Sequence, residues 1–237
     1  VYQPHVFTLT EDGYRGPAPS WRPGAPSVWL VDTGLNAEAV RRLAPGILDA
    51  SERARVERLA FPADRECYTA AHVALRLLLG VHQGVAPDAV RLVRERCPSC
   101  DGPHGRPATG GGVHFSLSHT RGVALLAFAD RPVGVDVERV PEPRVVTEIA
   151  GQLHPAEAAE LAALPQRERP AAFARVWTRK EAYLKGEGVG LAGGLHRDHI
   201  GTGPHPLDPP GWAVTDVAVP AGYAAAVAAG TAGRPPE

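Results

Sequence analysis

Lysine is scarce in this chain of 237 residues: of its 25 basic residues only two, Lys180 and Lys185, are lysine, and the rest are arginine. An ammonium on a flexible stem differs from a planar guanidinium in hydration, reach and ease of pKa tuning. Two lysines in neighbouring turns therefore point to a local demand for lysine chemistry, set against simple coincidence. Cysteine is sparse too. Three cysteines, an odd number at low density, exclude a disulfide framework and fit a reducing compartment. No charge sign dominates: 25 basic residues face 26 acidic ones, a formal balance of −1, which lacks the long-range field of a non-specific nucleic-acid binder. No apolar run approaches the roughly 20 residues that cross a membrane, and the first residues lack the basic-then-apolar pattern of a secretory signal. We therefore expect a soluble, cytoplasmic protein with no membrane and no nucleic-acid partner. A sizeable core is available, because 44% of residues are hydrophobic against 22% charged, and the length allows one large domain or two small ones.

Proline and glycine crowd residues 11–27, and the apolar run Val28-Trp29-Leu30-Val31 then predicts a buried strand. From Asp49-Ala50-Ser51 onward Val56, Leu59 and Ala60 recur at helical spacing, with Ser51 as the expected N-cap and Pro62 as the interruption. A stronger helix is expected over 63–80. Tyr68, Ala71, Leu75, Leu78 and Leu79 lie near one stripe of it, and Gly80 is its expected stop. Residues 97–112 read as a loop. Segments 113–117, 122–129 and 133–137 read as three strands of an antiparallel meander. Helical segments are expected near 145–153, 155–164 and 169–186, followed by a hairpin over 212–219 and 223–229. The order of long helix, glycine-rich stretch and paired strands thus occurs twice, before and after residue 130, without a repeated residue pattern.

Several groups of residues could carry chemistry. In Gly134-Val135-Asp136-Val137-Glu138, side chains two apart on a strand face the same side, so Asp136 and Glu138 point together. Paired carboxylates repel unless a cation neutralises them, and such hard oxygen ligands suit Mg²⁺; a solvated strand face is the plainer alternative. In Trp177-Thr178-Arg179-Lys180-Glu181-Ala182-Tyr183-Leu184-Lys185-Gly186, Glu181 and Lys185 lie one turn apart on one helix face. An ordinary surface ion pair would look the same and contribute only about 0.3–0.5 kcal/mol. Gly186-Glu187-Gly188-Val189-Gly190 follows a helix instead of opening one, which rejects a dinucleotide fingerprint and leaves helix termination and close backbone approach. Ser118 and His119 end a strand with groups suited to phosphate oxygens. A serine hydrolase is disfavoured there, because neither serine sits in a Gly-x-Ser-x-Gly elbow. Cys97, Cys100 and His104 have the opening spacing of a zinc knuckle but supply three ligands where a closed site needs four; Cys67 would have to join from the long helix. Reduced, unmetallated thiols are the first expectation.

In order and spacing these segments together resemble the Sfp-type 4′-phosphopantetheinyl transferase family. Gly134 to Glu138 matches its G-[IV]-D-[IV]-E motif, and Trp177 to Leu191 matches W-x-x-K-E-[AS]-x-x-K-x-x-G-x-G-[LI], about forty residues on. Phe115-Ser116-Leu117-Ser118-His119-Thr120 and Gly105-Arg106-Pro107 are similar to two further motifs, and the basic segment around Arg55 and Arg58 to a third. The resemblance covers residues 50–230. It implies an α+β fold of two similar halves related by a pseudo-twofold, 1–130 on the nucleotide side and 131–237 bearing the metal and the catalytic helix, with the active site in the cleft between them. It implies a pseudodimeric monomer that moves the phosphopantetheine arm of coenzyme A onto a serine of an acyl or peptidyl carrier protein. Asp136, Glu138 and Glu181 would hold Mg²⁺. Glu181, or a metal-bound water that it polarises, would be the base, and Lys185 would neutralise the pyrophosphate of coenzyme A. Ser118 and His119 would approach the phosphates, Arg106 the adenine and 3′-phosphate, and Arg55 and Arg58 the same 3′-phosphate. Lys180 faces another side of the helix and is assigned supporting contacts. Arginine dominance suggests a GC-rich genome and, by analogy, service to polyketide or nonribosomal peptide assembly.

Two other readings compete. A metal-dependent phosphodiesterase or nuclease also uses clustered acids and a lysine, but the neutral charge balance speaks against it. A coenzyme A or nucleotide-binding module without transfer is disfavoured by the intact set Asp136, Glu138, Glu181 and Lys185.

Overall fold

The computed structural model describes residues 1–10, 13–22, 24–103, 105–190 and 194–231. In chain order the first part comprises β1 (His5–Phe7), β2 (Ser27–Asp32), α1 (Ala37–Ile47), α2 (Ala50–Arg58), α3 (Pro62–Gln83), β3 (Leu92–Arg94), β4 (Pro107–Thr109), β5 (His114–Thr120) and β6 (Val123–Ala129). The second comprises β7 (Val133–Arg139), α4 (Pro143–Ile149), α5 (Pro155–Ala163), α6 (Arg169–Glu187), β8 (Trp212–Asp216) and β9 (Tyr223–Gly230).

Side-chain alternation along β6 decides the layering. Ala124, Leu126 and Phe128 join one core with α1 and α3, while Val123, Leu125, Ala127 and Ala129 join another, so the strand is covered on both faces. Its sheet has the order β1-β2-β6-β5. The second core is closed by Val133, Val135 and Val137 of β7 and by Ala225 and Val227 of β9, from a sheet of order β7-β9-β8. The outer face of this sheet packs Val214, Ala226 and Ala228 against Ala182 and Leu184 of α6. The result is an α+β stack of helix, sheet, sheet and helix, in which each part sets one long helix, α3 or α6, on the outer face of its own sheet. Tyr2 crosses over: its N–H donates to Asp216 O (2.7 Å) and its carbonyl accepts from Ala218 N (2.8 Å).

The expected meander is corrected. β5 and β6 do pair antiparallel, but β7 leaves them and pairs with β9. Its valine face has to cover the first sheet, which it does by lying over it; Val135 N donates to Ser116 Oγ (3.1 Å) at the crossing. The N-cap of α2 is Asp49, not Ser51: Asp49 Oδ1 accepts from Glu52 N (2.9 Å) and Glu52 Oε2 accepts from Asp49 N (2.9 Å), a reciprocal capping box. Gly80 lies inside α3, which ends at Gly84 with φ +68°. Gly80 is needed instead for close approach, since a Cβ there would meet Val85 O at 2.9 Å. Part of the expected loop 97–112 is strand, because β4 pairs with β3. The sequence reading contained no helix over 37–47; Pro45 lies inside α1 and disguises it.

Candidate active site

The period of β7 builds one wall. Val133, Val135 and Val137 point into the core between the sheets, so Gly134, Asp136 and Glu138 face α6. At Gly134 the helix presses directly on the strand: a Cβ would fall 1.9 Å from Ala182 O and 2.5 Å from Gly186 N. No other residue type fits there. With Ala182 and Gly186 held against the strand, Glu181 and Lys185, each one position earlier, turn together toward the cleft. Gly188 ends the helix in the left-handed region at φ +84°. Asp136, Glu138, Glu181, Lys185, Ser118 and His119 thus line one cleft of about 630 Å³ with Arg55 and Arg94. Asp136 and Glu138 of the strand and Glu181 of the helix line this one space.

Lys185 Nζ donates to Asp136 Oδ1 (2.6 Å) and to Ser118 Oγ (3.1 Å), and Ser118 Oγ donates to the same carboxylate oxygen (2.7 Å). Asp136 Oδ2 is buried and has no hydrogen-bond partner among the described residues. Such an orphaned acceptor costs about 1–3 kcal/mol. Burial first, then the neighbouring charge of Asp136, pushes Glu138 up to about 7, with Glu181 adding and Lys185 opposing. Glu181 is raised by burial and by Asp136, again against Lys185. Three carboxylates therefore share a field that one ammonium only partly balances. Among the described residues no group of three His, Cys, Asp or Glu side chains forms a metal-ligand cluster. The hard oxygen donors, the mutual repulsion and the unpartnered Oδ2 nevertheless fit the electrostatic needs of a divalent cation.

Burial, assisted by His72 and Lys185, lowers His119 to about 4, so near neutral pH it is an uncharged hydrogen-bonding group and not a cation. Arg55 reaches the cleft; Arg58 is exposed on α2 and is not among the lining residues. Arg106 lines an adjoining cavity of about 230 Å³ with Phe115 and Lys185. Arg94 lines both cavities and was missed by the sequence reading, as was His72. Tyr68 belongs to the apolar stripe of α3, yet it lines the cleft and stacks on His72 with centroids 4.0 Å apart. His72 Nδ1 in turn pairs with Glu52 Oε1 at 2.8 Å. Their signal was present as a Tyr and a His four apart on the long helix. Lys180 faces away, pairing with Glu157 (2.9 Å) in the buried interior.

Cys97 and Cys100 lie on the loop between β3 and β4, while His104, like Leu191 at the end of the longer motif, lies outside the described residues. Cys67 is buried on α3, and its Sγ donates to Thr120 O (3.3 Å). Among the described residues no helix is long and apolar enough to cross a membrane.

The family profile described as the 4′-phosphopantetheinyl transferase superfamily matches residues 132–210, which hold both β7 and α6. The chain is similar to the 4′-phosphopantetheinyl transferase HetI of Nostoc sp., with 31% identity over 189 residues, 73% of this chain and 76% of that protein. A putative 4′-phosphopantetheinyl transferase of Synechocystis sp. shares 29% over 181 residues, 73% of this chain and 68% of its own length. The 4′-phosphopantetheinyl transferase Sfp of Bacillus subtilis shares 32% over 81 residues, 34% of this chain and 35% of that one.

Proposed function

The chain belongs to the 4′-phosphopantetheinyl transferase family, and we propose that it moves the phosphopantetheine arm of coenzyme A onto a serine of an acyl or peptidyl carrier protein. The serine oxygen bonds to the β-phosphorus of coenzyme A, the bond from that phosphorus to the oxygen bridging the two phosphates breaks, and adenosine 3′,5′-bisphosphate leaves. An apo carrier becomes holo. Carriers of polyketide or nonribosomal peptide assembly are the proposed recipients, and the cytoplasm the proposed compartment.

The observation that carries the reading is the partly balanced cluster Asp136-Ser118-Lys185, with its buried unpartnered carboxylate oxygen, in a cleft shared with Glu138 and Glu181. Asp136, Glu138 and Glu181 would hold Mg²⁺, which when bound would neutralise charge on the pyrophosphate. Lys185 sets an ammonium beside the same phosphates and offsets the charge that gathers on the leaving group. Glu181, whose basicity is raised by burial, takes the proton of the attacking serine hydroxyl. Neutral His119 and Ser118 orient the phosphates by hydrogen bonds. Arg55, which lines the cleft, supplies a guanidinium fork for the 3′-phosphate. Residues 1–130 form the nucleotide side and 131–237 the metal side of a chain that acts as a monomer.

Intact-mass measurement tests this. Apo carriers incubated with the protein, coenzyme A and Mg²⁺ should each gain one phosphopantetheine. No adduct on fatty-acid, polyketide and peptide-synthetase carriers would refute the transferase reading. Phosphodiester hydrolysis without coenzyme A would favour a phosphodiesterase instead.

A further inference from the structure

The guanidinium of Arg106 is occupied by the protein itself. Glu95 follows β3 and Arg106 precedes β4, and their backbones pair through Glu95 N to Arg106 O (2.9 Å). Arg106 Nε (3.0 Å) and Nη2 (2.8 Å) donate to Glu95 Oε2, which fixes the plane of the fork. The remaining terminal nitrogen, Nη1, donates to Gly186 O at 2.6 Å, eighty residues along the chain. Gly186 lies in the last turn of α6, where carbonyls have no partner further along the helix and the helix dipole is negative. A cation there satisfies an orphan acceptor and complements the dipole. The stem of Arg106 packs close to Gly188, where a Cβ would lie 3.0 Å from its Cγ. Lys185 belongs to this same turn and points its ammonium at Asp136.

We infer that Arg106 is a positioning residue: backed by Glu95, it fastens the last turn of α6 to the β3–β4 hairpin across the cleft and so aims Lys185. The kinetic consequence rests on the transferase reading; the clamp itself does not. Misaiming a group that acts only in the transition state lowers kcat and leaves substrate affinity largely intact. A residue whose task is to grip the nucleotide does the opposite.

The test uses the full chain as wild type, R106A, R106K and E95Q. It combines transfer kinetics, titration calorimetry with coenzyme A, and hydrogen exchange of a peptide covering residues 183–188. For R106A we expect kcat to fall about tenfold, with the KM and Kd of coenzyme A within about twofold and faster exchange in the last turn of α6. R106K should recover part of kcat, because an ammonium can still reach one carbonyl, and E95Q should show a smaller loss in the same sense. If R106A fails to fold, R106K and E95Q carry the comparison. A large rise in Kd with kcat unchanged would overturn the inference in favour of a nucleotide ligand, and unchanged kinetics and exchange in R106K and E95Q would overturn it outright. Wild-type protein that modifies no carrier would sink the transferase reading alone, while hydrogen exchange would still decide whether the clamp exists.

Discussion

Helix α6 carries the only two lysines of the chain on two sides, and the two sides differ in how completely their charges are satisfied. On the inner side Lys180 pairs with Glu157 at 2.9 Å and donates to Asp198 O. Glu157 also accepts from Ile200 N (2.8 Å), Gly201 N (3.1 Å) and His154 N (3.1 Å), so both its oxygens are used. Next to it Arg179 forks onto Asp216 with two bonds of 2.7 Å. On the cleft side Lys185 bonds to Asp136, which has a buried oxygen with no partner among the described residues, and shares the cleft with Glu138 and Glu181. The inner network is closed and holds α6 to α5 and to the segment 198–201. The outer one is left unbalanced, and an unbalanced cluster can bind and stabilise charge that arrives from outside. The same residue type thus serves as a structural anchor in one turn and as a candidate catalytic group in the next.

Substitutions should separate the two sides by opposite signatures. The largest effect is expected for Asp136→Asn: carrier modification should fall about 10³-fold while the melting temperature holds or rises, because a repulsive charge is removed. Unchanged turnover would place the chemistry elsewhere. Breaking the inner pair with Lys180→Met should cost about 3–5 kcal/mol in urea denaturation, the penalty of a buried charge left alone. Adding Glu157→Gln, which removes the lone charge but keeps an oxygen for Ile200 N and Gly201 N, should recover part of that loss; an additive further loss would contradict a closed network. Lys185→Ala, on the cleft side, should lower kcat about 10²-fold with a smaller loss in urea midpoint than Lys180→Met, because Lys185 is 31% exposed and water can take the vacated place.

The smallest expected effect is a pH dependence. Glu138 has an ordinary value of 4.5 and about 7 in the folded protein, so the fold binds the extra proton between those values. The stability it contributes is full below about 4.5 and is lost as pH rises through 7. His119 acts in the other sense: lowered from 6.5 to about 4, it costs stability as pH falls through that window. The two oppose each other over most of the range from about 4.5 to 7, so Glu138→Gln should leave the urea midpoint rising more with pH across that range than in the wild type. A pH profile identical to wild type would remove Glu138 from the shared field.

Much of this site is legible in the sequence because it is built by local periods. A period of two puts Asp136 and Glu138 on one side of β7, and a spacing of four puts Glu181 and Lys185 on one face of α6. What escaped depends on contacts between distant segments. Whether β7 joins β6 or crosses to β9 is decided by which sheet its valines must cover. Gly134 reads as a motif letter, but only the helix lying on it gives the reason. Tyr68 and His72 share a stripe with Leu75, and nothing in helical spacing tells a core position from a cleft wall. The guanidinium of Arg106 meets Gly186 eighty residues away, beyond any local pattern.

The proposed seating of one divalent cation between strand β7 and helix α6, beside Lys185, can be put to Mg²⁺ titration calorimetry in the presence of coenzyme A. Wild-type protein should take up one Mg²⁺ per chain, and Asp136→Asn and Glu181→Gln should each abolish that uptake while remaining folded. Uptake of Mg²⁺ by both variants with wild-type affinity would contradict the account.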